Sequence, residues 1–513
     1  MLEVALVLAL ARPPAPLVTV QDQSAVVRVQ RKARRYHVQI RPPGGSWSLA
    51  ATSVRRRVRL NLDPGRYRVR AQVKGKKWSK YGKASGWFTI VAGGTAPGPT
   101  PTPTPTTPPA DYPGRKVWVD PVAGNDDADG SRGAPLRSLT EAWARIPSNV
   151  PEAIVISVLP GTVTSSPNYW ENRRGQPIAI VAANGPGTAA MTEDINMYRV
   201  DNLTIDGLRI HRNGDVFHCE QCRHIALVRV DFDGGGAAHE TIKVNQSQYF
   251  DILDSRITGT YENAIDFVAV QWATIAGNDI SNGTGDTSAT DWCAYVKGGS
   301  AHIEVRNNVI HDCGTGGFTA GQGTGFEYMV APWLTYEAQD VVVRDNLIHD
   351  TYGAGLGVNG GRHIRMFGNV LVRVGSRSHT VEFVHGARSC DGDLVACQAH
   401  HDAGGWGGVG IDGQYIPNQD VWFGNNVIAN SPGQGSQWSQ VAVAGPVVPP
   451  VGSNVPSPSR ADEGLVIVNN IFWNQTVDDG WNLAGNRVNS LDPQINPTTL
   501  RPAVTLPPVA VPE

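Results

Sequence analysis

The chain has 513 residues, 41% of them hydrophobic, which is enough to bury a sizeable core and excludes disorder throughout. Its 57 glycines and 36 prolines make turns frequent but stay below collagen-like or low-complexity content. The formal net charge of −2 hides a division, because residues 1–93 hold 19 Lys and Arg against Glu3, Asp22 and Asp63, leaving 25 basic and 43 acidic residues for the remainder. No apolar run reaches the ~18 residues of a membrane span, so no integral helical membrane protein is expected.

Within residues 1–16, Val4 to Ala11 (Val-Ala-Leu-Val-Leu-Ala-Leu-Ala) reads as the core of a secretory signal, although Glu3 stands where Lys or Arg is usual. The six cysteines are Cys219, Cys222, Cys293, Cys313, Cys390 and Cys397. An even number in an exported chain is read as three local disulfides of open connectivity. Cys219-Glu-Gln-Cys222 lacks the second CxxC of a zinc site. The expected location is secreted or cell-surface.

Residues 17–92 alternate apolar and polar side chains in short runs, as in Val58-Arg-Leu-Asn-Leu62 and Tyr67-Arg-Val-Arg70, separated by Gly44-Gly45 and Asp63-Pro-Gly65. This predicts a small antiparallel β-sandwich. Leu62-Asp-Pro-Gly-Arg-Tyr-Arg-Val-Arg-Ala71, followed by Trp78-Ser-Lys-Tyr81, resembles the second half of a fibronectin type III module. Alternation places Arg55, Arg57, Arg59, Arg66, Arg68 and Arg70 on the outward positions. Such a face is either simply solvated or a docking surface for a polyanionic glycan or cell wall. In an exported chain, specific nucleic-acid binding is not expected.

Residues 93–114 contain alternating Pro and Thr, which cannot form helix or sheet and behave as a semi-rigid spacer. Beyond it, residues 115–495 repeat one phrase: Asn278-Asp-Ile280, Asn308-Val-Ile310, Asn346-Leu-Ile348, Asn369-Val-Leu371, Asn426-Val-Ile428 and Asn470-Ile-Phe472. The shortest interval, 23 residues between Asn346 and Asn369, suits one coil of a solenoid with a shared core. An asparagine repeated at one turn can stack its amide on its neighbours. Ala134 to Ala142 predicts a strand-like Pro-Leu pair and a short helix capped by Thr140. These features resemble the pectin-lyase-like superfamily and imply an all-β fold, a right-handed single-stranded parallel β-helix with the short helix over one end. The tail from Pro493 is expected as a loose cap over the last coil, with residues 496–513 beyond the β-helix as a C-terminal tail.

Alternation aligns the coils. Ile242, Val244, Ile265, Phe267 and Val296 point inward, so Lys243, Asp266, Tyr295 and Lys297 point outward. Measured back from the turn isoleucines Ile257, Ile280 and Ile310, Lys243 and Asp266 sit 14 residues before and Lys297 sits 13 before. This predicts an exposed Lys243–Asp266–Lys297 column, continued by Asn359 and Glu382. After residue 93 the only lysines are Lys116, Lys243 and Lys297 among 25 basic residues. Unlike arginine, lysine can become a neutral base when desolvated. An ion-pair ladder of little energetic weight is the alternative.

Ala294-Tyr-Val-Lys-Gly-Gly-Ser300 is similar to the base-bearing coil of alginate and chondroitin lyases on this fold. The resemblance implies a polysaccharide lyase acting on a uronic-acid glycan by β-elimination, with Lys297 as its base; the aligned column adds Lys243 and Asp266, with outward Tyr295, to the expected catalytic group. Those enzymes pair the lysine with an arginine on the next coil. Here that coil reads Gly317-Phe-Thr-Ala-Gly-Gln322, which leaves Tyr295, Gln322, Arg377 or His379 as substitutes. Substrate contacts are expected from Gln322, Asn359, Arg377, His379, Glu382 and Arg388. A Ca²⁺ ion held by Glu240, Glu262 and Asp291 would neutralise the uronate carboxylate. The insertions 323–338 and 376–418 are read as walls of the binding groove, with Phe326, Tyr328, Trp333 and Tyr336 as stacking rings or as the loop's own small core. His400-His-Asp402 is a weak zinc signal beside a Cys390–Cys397 loop. A glycoside hydrolase using Asp266 and Glu382, an epimerase, and a non-catalytic adhesin remain alternatives. The chain is expected to act as a monomer.

Overall fold

The computed structural model describes residues 17–21, 24–28, 35–41, 47–53, 57–61, 65–74, 81, 88–90, 111–235, 239–259, 262–282, 291–390, 392–411, 413–434, 438–475 and 484–512. The signal-like segment 1–16 and most of the Pro/Thr spacer lie outside them. The chain divides into two compact units, Met1–Pro101 and Thr102–Glu513.

Among the described residues, the first unit holds seven strands in two antiparallel sheets. Leu17–Gln21, Ser24–Arg28 and Arg57–Asn61 form one, and Ser48–Ser53, Arg35–Arg41, Gly65–Lys74 and Phe88–Ile90 lie side by side in the other. Alternation holds where side chains are described: Val38, Val69 and Ala71 are fully buried, while Arg68 and Arg70 are partly exposed. Arg70 is not a freely solvated charge. Its guanidinium lies 4.3 Å from the Trp47 ring and 4.6 Å from the Tyr81 ring and donates to Gln39 Oε1 at 2.8 Å.

The second unit is a right-handed parallel β-helix. Each coil contributes one strand to each of three parallel faces, as in Ile242–Asn245 (sheet 1), Gln248–Leu253 (sheet 2) and Arg256–Gly259 (sheet 3). The long strand Ile195–Asp206 runs through sheets 1 and 2 and joins them. Inward residues of the three sheets meet in one continuous core from Val117 to Phe472. The short helix Leu139–Ala144 buries Leu139, Ala142 and Trp143 against its first coils. Its cap is Ser138, whose hydroxyl accepts the N–H of Glu141, rather than the expected Thr140.

The asparagine ladder closes rung by rung. Asn278, Asn308, Asn346, Asn369, Asn426 and Asn470 are all buried, and each side-chain amide donates to the next at 2.9–3.0 Å, ending on Asn486. Each Nδ2 also donates to a backbone carbonyl, such as Val305 for Asn346. Each Oδ1 from Asn308 onward also accepts the previous rung's backbone N–H. The repeated residue therefore satisfies turn groups that the buried corner hides from water.

The tail corrects the expectation of a cap over the last coil. It runs back along the outside of the stack, where Leu500 packs against Leu347, Val370 and Val372. Asn425 donates to Val509 O and accepts its N–H. The apolar outer residues of sheet 3 need this cover, which the C-terminal segment provides.

Candidate functional site

Register decides what stands beside what on the outer face of sheet 1. His218, Lys243, Asp266, Tyr295, Thr319, Gly357 and Glu382 align as consecutive cross-strand partners. A second outward row, two residues further along each strand, carries Glu220, Asn245, Val268, Lys297, Gly321, Asn359 and Val384. Lys297 therefore does not share the row of Lys243 and Asp266; Tyr295 takes that place. The turn after Lys297 holds one residue more than those after Asn245 and Val268, because Ala301, not Ser300, pairs with Gln271. Gly298 and Gly299 make the longer turn, at φ of 63° and 80°.

Lys297 nevertheless reaches the cluster, with Nζ 3.8 Å from Asp266 Oδ2 and 4.3 Å from the centre of the Tyr295 ring. Lys243 Nζ bonds both Asp266 Oδ2 and, at 2.9 Å, Glu240 Oε1. Tyr295 donates its O–H to Asn263 Oδ1 at 2.8 Å and lies 3.3 Å from Asp266 Oδ2. The expected exposed ladder is thus a partly covered cluster: Asp266 is fully buried, whereas the side chains of Lys243 and Lys297 remain 23% and 14% exposed.

Burial disfavours the Lys243 ammonium, but the Asp266 and Glu240 carboxylates outweigh it and raise its pKa. This corrects the expectation of Lys243 as a neutral base, since its proton is held more tightly than usual. Burial pushes the Asp266 carboxyl up, with the two lysines opposing it. Burial, then Asp266, drives the Tyr295 phenol well above its ordinary value, so it stays protonated.

The remaining expected residues divide. Asn359 accepts the Thr319 hydroxyl at 2.7 Å and donates to Glu382 Oε1 at 3.3 Å, while burial raises the pKa of Glu382. Glu382 stands four strand steps from Asp266, about 19 Å at ~4.8 Å per step. That removes this pair as hydrolase partners, which need ~5–9.5 Å. Gln322 lies at the root of an insertion and turns its Oε1 to the N–H of Gly323. Arg377 is exposed and stacks over Tyr352, and the His379 imidazole meets the Ser439 carbonyl.

Arg388 is corrected most sharply. It and Glu337 are both excluded from solvent, and its guanidinium donates to Glu337 Oε1 at 2.6 Å and to the carbonyls of Leu334, Thr335 and Trp406. It cannot touch a substrate. It organises the insertions instead: Gly323–Gly325, Gly386–Ser389 and Gln414–Ile416 form a three-stranded sheet beside the helix Leu394–Asp402. Phe326, Met329, Leu334 and the Cys390–Cys397 disulfide make their small core. Phe326 and Tyr336 are therefore core rings, whereas Tyr328 is exposed. His400 Nδ1 meets the Phe326 carbonyl, consistent with a structural role. The other cysteines pair as Cys219–Cys222 and Cys293–Cys313.

Glu240, Glu262 and Asp291 do not fit a calcium site among the described residues. Their carboxylates form no common ligand set, and Glu240 is engaged by Lys243. Glu240 instead lies in a grouping with Asp215 and His239 whose ligand atoms are close enough to share an ion. Burial raises the pKa of both Glu262 and Asp291.

Three site residues escaped sequence reasoning. His218 precedes Lys243 in the row, accepts from Asn245 Nδ2 at 3.2 Å through its Nε2, and has a pKa lowered by burial. Asn263 holds the Tyr295 hydroxyl. Trp292 lies across the glycines of the next coils, since a Cβ on Gly357 would stand 2.8 Å from its Cη2. Extending the strand alignment one coil back from Lys243 would have found the first; the other two depend on side-chain direction.

No family model matches the chain, and no curated protein matches it. Solved structures overlap it only partly. A rhamnogalacturonan lyase is 14% identical at a TM-score of 0.43, covering 70% of this chain and 87% of that one. The A-module of Azotobacter vinelandii mannuronan C-5 epimerase AlgE4 is 12% identical at 0.37, covering 63% and 90%. A lacto-N-biosidase from Eubacterium ramulus is 10% identical at 0.35, covering 74% and 68%. Overlaps this slight carry no argument about the reaction. The fold stands on the strand register alone.

Proposed function

We propose that this chain is a secreted, carbohydrate-active β-helix enzyme that cleaves a uronic-acid glycan by β-elimination on the outer face of sheet 1. The observation that supports this reading is the gathering of Lys243 and Lys297, two of the three lysines after residue 93, around the buried Asp266. Lys243, kept cationic by two carboxylates, supplies positive potential for the substrate carboxylate. Lys297 takes the C5 proton; the C4–O bond breaks as the C4–C5 double bond forms, and the same side chain returns the proton to the leaving oxygen. Tyr295 and Asp266, both buried, position Lys297 and do not meet substrate. No step requires a metal.

The first unit, with strand order and alternation that suit a fibronectin type III module, is proposed to hold polyanionic glycan or cell wall through its basic outward rows. The test of the reaction is absorbance of unsaturated uronate on pectate, alginate and glycosaminoglycans, with Ca²⁺ or chelator, for the wild type and Lys297→Ala. A signal that Lys297→Ala abolishes supports the lyase; no signal on any acidic glycan from the folded chain rejects it in favour of a non-catalytic glycan-binding role.

A further inference from the structure

The coil pattern breaks at the turn after Lys297. On the preceding coil the second outward row is held from both sides, since Val268 pairs with Asn245 and with Lys297. At Lys297 the pairing with Val268 remains, but the pairing with the following coil stops one residue earlier, at Val296 and Ala320. The insertion that leaves that coil after Gly321 begins at this point. The lysine that reaches Asp266 therefore stands at a strand end.

The inserted segment supplies the hold that the ladder gives elsewhere. Gly298 N–H donates to Glu337 Oε2 at 3.0 Å, and Gly299 N–H donates to the Glu337 carbonyl at 2.9 Å. The contact requires both glycines: a Cβ on Gly298 would stand 2.8 Å from Thr324 Cγ2, and one on Gly299 would strike the Trp333 carbonyl. Arg388 in turn fixes Glu337, donating to its other carboxylate oxygen at 2.6 Å. Both side chains are fully shielded from solvent. Stability is a poor reason for the pair, because apolar residues of similar volume often serve as well or better. A carboxylate does one thing there that leucine cannot. It accepts the Gly298 N–H.

We propose that Glu337 is a positioning residue for Lys297, fixing the turn so that the lysine Nζ stays over the Tyr295 ring and beside Asp266. The separations it maintains are 4.3 Å from the ring centre and 3.8 Å from Asp266 Oδ2. The inserted subdomain is then part of the site without touching substrate, because the lysine gains its backbone anchor only when Arg388 and Glu337 meet. The consequence for β-elimination rests on the reaction proposed above; the placement of the lysine does not.

The test compares two double variants of the full chain, Arg388→Met/Glu337→Gln and Arg388→Met/Glu337→Leu. Both remove the buried charges, and only the glutamine keeps an acceptor for Gly298 N–H. Reductive methylation of the lysines with isotope-labelled formaldehyde reports placement without any reaction, since methyl groups held over the Tyr295 ring resonate upfield in NMR. Lys297→Arg assigns the signal. The glutamine variant is expected to keep the upfield signal and the leucine variant to lose it. On whichever of pectate, alginate or glycosaminoglycan the wild type cleaves, kcat of the leucine variant should fall at least about tenfold below that of the glutamine variant, with KM within about twofold. Should circular dichroism show the leucine variant unfolded, Arg388→Met/Glu337→Met provides the same comparison. No upfield Lys297 signal in the wild type, an upfield signal retained in the leucine variant, or equal kcat in the two would each overturn the proposal. A folded wild type silent on every acidic glycan rejects the reaction instead, and the NMR comparison alone then decides the placement.

Discussion

Glu337 accepts the buried guanidinium of Arg388 on one carboxylate oxygen and, on the other, the N–H of Gly298, the residue that follows Lys297. A single carboxylate thus ties the inserted subdomain to the strand end that carries the proposed proton-transferring lysine. The backbone repeats the link, because Gly299 N–H donates to Glu337 O at 2.9 Å.

Removing one partner of this pair leaves the other charge buried and unpaired. Arg388→Met is expected to cost about 3–5 kcal/mol, measured by equilibrium urea unfolding. The double variant Arg388→Met/Glu337→Leu should recover part of that loss, although the Gly298 N–H then stays unsatisfied. A loss below about 1 kcal/mol for Arg388→Met would show that the insertions hold without the pair.

Asp266→Asn removes the charge shared by Lys243 and Lys297 while keeping the shape. Because Glu240 still pairs Lys243, the cost should be about 2–3 kcal/mol, at or below the lower end of what breaking a buried pair usually costs. Adding Glu240→Gln should then cost more than Glu240→Gln does in the wild type. Additive losses in that double-mutant cycle would mean the two carboxylates do not share Lys243.

Two groups set opposite limits on stability with pH. Burial disfavours the His311 imidazolium, but hydrogen bonds to Asp279 and Asp312 outweigh it and raise its pKa to about 9. Its contribution, up to about 3 kcal/mol, is present in full below the unfolded value near 6.5 and is lost as pH rises through about 9. Asp350 shows the reverse: burial raises its pKa, but His349 and Arg373 lower it to about 2. Its contribution is present above the unfolded value near 3.9 and is lost as pH falls through about 2. Chemical denaturation across pH 2–10 should therefore show falling stability on both sides. His311→Gln should remove the decline between about pH 6.5 and 9; an unchanged alkaline limb in that variant would assign the decline elsewhere.

The amide ladder should be costly to break in the middle and cheaper at its end. Asn346→Ala strands the N–H of Asn308, the amide of Asn308 and the carbonyl of Val305, for an expected loss of about 3 kcal/mol. Asn486→Ala, on the partly exposed last rung, should cost about 1 kcal/mol. Equal losses in urea titrations would argue that the rungs do not act as one buried network.

The β-helix was legible because one coil is a local unit. An asparagine that must satisfy its own turn recurs wherever the turn recurs, and inward residues alternate with outward ones over a few positions. The same periodicity brought Lys243, Asp266 and Tyr295 to one face. It did not give the pairing of Lys297, because a single extra residue at Gly298-Gly299 shifts the count between coils without changing any local pattern. Nor did it give Arg388 and Glu337, 51 residues apart, whose meeting depends on two insertions folding together. Alternation says which way a side chain leaves the strand. How deeply it is covered, as for Asp266 and Trp292, depends on neighbouring coils and the loops between them, and those contacts exist only once the coils have stacked.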